Sequence, residues 1–204
     1  MKLQVALDMT SYADAISTAK MVAPFVDIIE VGTPLLKSEG MRTVRQLRHL
    51  FPEGVILADT KTSDVAFLEA GLAKKAGADY FTVMALAPHS TLKEALRARK
   101  ELGIKVAVDF IGVKDKLAKI NDLKGRGFDA FILHTAIDEG RFECKELDKL
   151  KKKPSEAIFV SGGINAGTIP KIDRSKVDVV IVGRAITSTH DPAGVAQIFK
   201  RLVE

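Results

Sequence analysis

The chain has 204 residues, 47% hydrophobic and 28% charged, a balance that suits one folded domain with a sizeable core and excludes disorder. Lys plus Arg number 31 against 26 Asp plus Glu, a net charge of +5. The basic residues are scattered and tryptophan is absent, which argues against a nucleic-acid surface and suits an anionic substrate.

Short apolar runs alternate with amphipathic stretches along the chain. A first strand, Leu3–Asp8, leads to a helix over Tyr12–Ala23. Asp8 comes too early for a signal peptide, and no leader is expected. Strand Val26–Val31 precedes a helix over Ser38–Phe51, and Val55–Asp59 precedes Val65–Ala76. Strand Tyr80–Met84 precedes Ser90–Leu102, and Lys105–Phe110 precedes Lys114–Gly127. Gly77, Gly103 and Gly127 read as C-terminal helix caps. Strand Ala130–His134 precedes a helix over Asp138–Leu150. The basic run Lys149 to Lys153 falls at that helix's end, where cations suit the dipole. Strand Ala157–Ser161 precedes Asn165–Ile172, and Val179–Val182 precedes Pro192–Val203, which Asp191 caps ahead of a first-turn proline. No stretch approaches the roughly 20 uncharged apolar residues of a membrane span. Cys144 is the single cysteine and cannot form an internal disulfide, so a cytoplasmic location is expected.

Eight strand–helix units with nearly continuous apolar strands predict a parallel sheet covered on both faces. The count favours a closed (β/α)8 TIM barrel over an open doubly wound sheet, and no linker divides the chain, so residues 1–204 are expected to form one domain.

Such a barrel builds its site where the strands end, and the polar residues cluster there. Asp8 ends the first strand. Glu30 stands before Val31-Gly32-Thr33. The third strand ends in Asp59-Thr60-Lys61 with Asp64 three residues on, the fifth ends in Asp109 and the sixth in His134. Residues two apart on a strand share a face, so Asp59 and Lys61 project into one cavity mouth. A structural ion pair at the rim is the competing reading. Asp8, Glu30 and Asp59 together would repel one another without a cation, and Mg²⁺ uses one or two carboxylates with water and substrate. His134 suits proton transfer, against the alternative of a satisfied rim histidine. Gly162-Gly163 and Gly183-Arg184 fit a phosphate site, since glycine admits an anion close to backbone N–H groups; plain turns are the alternative. Cys144 lacks a base or a strand-end position and reads as structural. Asp109 is left between substrate contact and support. His49, His89 and His190 match no zinc spacing.

The chain resembles the 3-hexulose-6-phosphate synthase family of the orotidine-5′-monophosphate decarboxylase suprafamily, from Leu3 to about Val203. The likeness rests on Ala6-Leu7-Asp8, Ile29-Glu30-Val31-Gly32-Thr33-Pro34-Leu35, Ala58-Asp59-Thr60-Lys61-Thr62-Ser63-Asp64, Asp109-Phe110-Ile111-Gly112-Val113, Leu133-His134-Thr135, Ser161-Gly162-Gly163-Ile164 and Val182-Gly183-Arg184-Ala185-Ile186-Thr187. It implies a homodimeric barrel in which Glu30 and Asp59 bind Mg²⁺, with Mn²⁺ or Co²⁺ as substitutes. Lys61 would stand beside the substrate, Asp8 would orient it, and His134 would move protons. Asp64 would reach into the partner's site. Gly162, Gly163, Gly183 and Arg184 would hold the phosphate. The implied reaction is a reversible aldol condensation of formaldehyde with D-ribulose 5-phosphate through an enediolate, with no organic cofactor. Two segments depart from the family pattern: Val65-Ala66-Phe67-Leu68-Glu69 lacks an expected glycine, and Ala85-Leu86-Ala87-Pro88-His89 is individual.

The runner-up is a 3-keto-L-gulonate-6-phosphate decarboxylase, where an arginine is expected within a few residues of the strand-six histidine. Here Thr135-Ala136-Ile137-Asp138 follows, and Arg141 comes only at the seventh position. An orotidine decarboxylase expects Ile-Pro-Asn-Thr after the second aspartate, and the chain has Val65-Ala66-Phe67-Leu68. A basic RNA-binding barrel without catalysis and a catalytically dead barrel are the readings from other classes. Scattered charge opposes the first, and intact Asp59, Lys61 and Asp64 oppose the second.

Overall fold

The apolar runs form eight parallel strands: β1 (Lys2–Leu7), β2 (Ile28–Val31), β3 (Val55–Thr62), β4 (Tyr80–Met84), β5 (Lys105–Asp109), β6 (Ala130–His134), β7 (Ala157–Ser161) and β8 (Val179–Val182). They pair in sequence order, and β8 returns to β1 to close a barrel, as the eight units imply. The structure is a computed structural model and describes residues 1–150 and 154–204. Lys151, Lys152 and Lys153 of the basic run lie outside the described residues. Among the described residues no helix is long and apolar enough to cross a membrane.

Strand alternation divides the core into two layers. Leu3, Val5 and Leu7 of β1 point outward and join Ile29, Val31, Ile56, Phe81, Val106 and Phe131 under the helices. Ala6, Ile28, Leu57, Ala107, Ile132, Phe159 and Ile181 fill the barrel interior. The interior series continues upward by steps of two: Ala6 to Asp8, Ile28 to Glu30, Leu57 to Asp59, Ala107 to Asp109, Ile132 to His134. The strand period therefore delivers the strand-end polar residues to one mouth.

The outer layer comprises α1 (Tyr12–Val22), α2 (Thr33–Glu39), α3 (Arg42–Leu50), α4 (Ala66–Ala76), α5 (His89–Leu102), α6 (Lys116–Leu123), α7 (Arg184–Thr187) and α8 (Pro192–Val203). Gly77 and Gly103 cap α4 and α5, and Asp191 accepts the Gly194 N–H at 2.9 Å at the start of α8. Four helical expectations need correction. The helix over Ser38–Phe51 is two helices, because Gly40 turns to φ +63° and ends α2. Asp115 accepts the Ala118 N–H at 2.9 Å and so starts α6 at Lys116. That helix ends at Leu123, so Gly127 lies beyond the cap in a loop. The helix over Asp138–Leu150 is replaced by a loop and a 3₁₀ turn, Cys144–Lys149. Its buried residues Phe142, Leu147 and Leu150 do not make a 3.6-residue stripe. The helix over Asn165–Ile172 shrinks to a 3₁₀ turn, Ile169–Lys171. The Asn165 side chain accepts from Gly167 and Thr168 N–H at 2.9 and 3.1 Å, a local turn that competes with the helix.

Candidate active site

Asp59 lies inside β3, which continues past it to Thr62. The pairing with β4 shifts register between Ala58 and Thr62, and Lys61 adopts φ +45° in the bulge. Thr82 holds both residues. Its hydroxyl accepts the Lys61 N–H and donates to Asp59 Oδ1, each at 2.8 Å. The Thr33 hydroxyl, at the start of α2, lies 2.8 Å from Asp59 Oδ2. Lys61 Nζ then donates to Asp59 Oδ2 at 2.7 Å and to Asp109 Oδ2 at 2.9 Å. Asp59 and Lys61 meet as their spacing implied, through a bulge rather than a plain strand.

Asp109 is 1% exposed and is the hub of the β5–β6 side. Its Oδ1 accepts the Ile111 N–H at 2.8 Å, and its Oδ2 stands 3.0 Å from His134 Nδ1. Burial opposes its charge, but the His134 hydrogen bond and the Lys61 ammonium outweigh it and hold the carboxyl at about 2. An ionised carboxylate only accepts, so His134 Nδ1 carries a hydrogen, and in the neutral ring Nε2 is then the acceptor. Burial likewise opposes the Lys61 charge, yet Asp59 and Asp109 hold that ammonium above its ordinary pKa.

Glu30 is buried, with the Gln4 amide donating to its Oε2. Burial first, then the Asp59 and Asp8 carboxylates, push Glu30 well above its ordinary range; Lys61 only partly offsets them. Asp8 follows β1 at the open rim, where partial desolvation and then Asp59 raise it. The three carboxylates thus crowd one another electrostatically. They do not close into a three-ligand cage: among the described residues no group of three or more His, Cys, Asp or Glu is arranged to hold a metal ion. The pair Glu30 and Asp59 remains.

The glycine turns lie across the mouth. A Cβ on Gly162 would sit 2.2 Å from Thr135 O at φ +108°, so only glycine fits. At Gly183 an added Cβ would lie 3.3 Å from Asp8 Oδ2, which places this turn beside the carboxylates. Arg184 is exposed and lowers Asp8 slightly through its charge. Asp64 is not drawn into the cluster. It is exposed, and its one hydrogen bond among the described residues is from the Val65 N–H at 2.8 Å. Cys144 lies apart, half-buried with Sγ 4.0 Å from Thr168 O, and burial raises its thiol.

The sequence reading missed Thr33, Thr82 and Gln4. Thr82 and Gln4 each interrupt an apolar strand on the interior side, and that was the available signal.

A closed parallel barrel with a lysine between two carboxylates at its strand ends defines an enzyme of the TIM-barrel class. The chain belongs to the Orotidine 5'-phosphate decarboxylase / HUMPS family, whose profile matches residues 1–199. It is 36% identical over 207 residues to a 3-hexulose-6-phosphate synthase of Bacillus subtilis, covering 100% of this chain and 99% of that one. The crystal structure of 3-hexulose-6-phosphate synthase from Salmonella typhimurium superposes with a TM-score of 0.94 at 38% identity, over 100% and 98% of the two chains. A 3-keto-L-gulonate-6-phosphate decarboxylase from Vibrio cholerae is more distant, with a TM-score of 0.81 and 29% identity over 99% and 96%.

Proposed function

We propose that this chain is a carbon–carbon lyase of the aldolase type that reversibly joins formaldehyde to D-ribulose 5-phosphate, as a 3-hexulose-6-phosphate synthase does. The observation that carries the reading is the linked set Asp59–Lys61–Asp109–His134, at 2.7, 2.9 and 3.0 Å. It places a fixed positive charge beside a histidine whose Nδ1 is held by Asp109, which turns Nε2 to the other side of the ring. The relatives' shared name supports the substrate.

The donor set fits a divalent cation. Glu30 and Asp59 share a site with Asp8 and a single ammonium, and beyond the effect of burial the Asp59 and Asp8 carboxylates push Glu30 further up. Glu30 and Asp59 would hold Mg²⁺, which when bound supplies a Lewis acid for the substrate's ketone and enediolate oxygens.

The chain's own residues do the rest. Gly162, Gly163, Gly183 and Arg184 bind the phosphate and fix the sugar's orientation. Asp8 orients the sugar and the lysine. His134 Nε2 takes the proton from C1, breaking the C–H bond. Lys61 stabilises the enediolate oxygens as their charge develops; its two carboxylate partners keep it protonated, so no Schiff base forms. The C1 carbon attacks formaldehyde, forming the C–C bond, and the proton on His134 passes to the new alkoxide. Asp64, exposed beside Val65 and Leu68, reaches the site of a second copy of this chain.

The deciding assay is formaldehyde consumption with D-ribulose 5-phosphate, with Mg²⁺ and with a chelator. Consumption is expected to need both sugar phosphate and metal. A folded, Mg²⁺-loaded protein that consumes no formaldehyde overturns the proposal in favour of the keto-gulonate decarboxylase reaction.

A further inference from the structure

The loop between β6 and the Cys144–Lys149 turn lies against the Gly162-Gly163 turn. Thr135 N donates to Ser161 O at 3.1 Å, and Phe142 N donates to Gly162 O at 2.7 Å. Phe142 is buried, and Glu146 ties Thr135 at 3.4 Å to Lys116 of α6 at 2.7 Å. Arg141 sits between these anchors. A Cβ on Gly163 would lie 2.7 Å from Arg141 Cγ and 3.1 Å from its Cβ, so the arginine's stem covers the glycine.

Its guanidinium is unengaged among the described residues. Three arginines lie outside helices: Arg126 pairs with Asp122, and Arg174 donates to Val203 O and Leu202 O. Arg141 has no ion pair or hydrogen bond from its guanidinium among the described residues. The stem of Arg141 is thus held against the Gly162-Gly163 turn, while among the described residues its guanidinium has no partner.

We propose that Arg141 is a substrate-binding residue that grips the phosphoryl group from the β6 side, opposite Arg184. The inference rests on reading the glycine turns as the phosphate end. A guanidinium there makes charge-assisted, two-point contacts to phosphate oxygens, which an ammonium reproduces only in part.

The test compares Arg141→Ala, Arg141→Lys and Arg184→Ala. Dissociation constants for D-ribulose 5-phosphate and for unphosphorylated D-ribulose are measured by calorimetry, with KM and kcat alongside. Arg141→Ala is expected to raise the Kd and KM for the phosphate ester about tenfold, with kcat within about twofold and D-ribulose binding unchanged. Arg141→Lys recovers part of the loss. If only Arg184→Ala weakens the ester, the role of Arg141 falls and the phosphate reading stands. If neither does, that reading fails and takes this one with it. If Arg141→Ala weakens both sugars equally, the residue supports the loop instead, and the proposal is overturned.

Discussion

Asp109 joins two groups to which the proposed reaction gives opposite work: the Lys61 ammonium, which stays charged, and the His134 imidazole, which exchanges a proton. Asp109→Asn removes a buried charge with two partners and is expected to cost about 3 kcal/mol at neutral pH. Asparagine both donates and accepts, so it no longer fixes the His134 hydrogen on Nδ1, and kcat should fall more than KM rises. The pH dependence follows from the folded carboxyl at about 2 against an ordinary 3.8. Its contribution is present above 3.8 and lost as pH falls through about 2. Urea titrations of the two proteins should converge toward pH 2, and a gap independent of pH would show that the ionised carboxylate is not what stabilises the site. Asp59 and Lys61 were legible because they stand two residues apart. The place of Asp109 at a strand end was legible too, but its role was left open, because its partners lie 48 and 25 residues away and only barrel closure brings them together.

At the scale of elements, strands proved more legible than helices. Buried strands are nearly continuous apolar runs, and their period of two places Glu30, Asp59, Asp109 and His134 above interior residues without further information. Helices over Asp138–Leu150 and Asn165–Ile172 failed because local competitors decided them: Gly140 at φ +138°, the Asn165 turn and Pro170. Those irregular segments flank the Gly162-Gly163 turn, the proposed phosphate end. Gly162→Ala should drive a methyl into Thr135 O at 2.2 Å and impose φ +108° on alanine. We expect a loss of roughly 3 kcal/mol, a drop in Tm of about 10 °C, and a raised KM. Gly103→Ala is the control: it has φ +65° and nothing within 4 Å, so it should cost about 1 kcal/mol and leave KM alone. Equal Tm losses in the two variants would mean that backbone conformation, rather than the Thr135 contact, sets the requirement for glycine.

For the whole molecule, a group of exposed apolar side chains suits the proposed second copy of the chain. Val65, Leu68, Leu72 and Leu86 are 55, 62, 50 and 61% exposed, and Asp64 stands among the first of them. An apolar surface beside an unengaged carboxylate suits a second copy of the chain. Asp59→Ala and Asp64→Ala proteins, each inactive alone, should regain about a quarter of wild-type activity when mixed and allowed to exchange, since half the chains are hybrid and half their sites intact. Confirmed exchange without recovery would place each site within one chain.

Closure of the ring by β1 and β8 carries a consequence for synthesis on the ribosome. Until Val179–Val182 has emerged, β1 and β7 are both raw edges, and unpaired strands invite association with other chains. The same step that removes those edges brings Gly183 against Asp8. A nascent barrel is therefore at its most vulnerable until the moment its reaction chamber is complete, and shielding by a chaperone would matter most for the last strand.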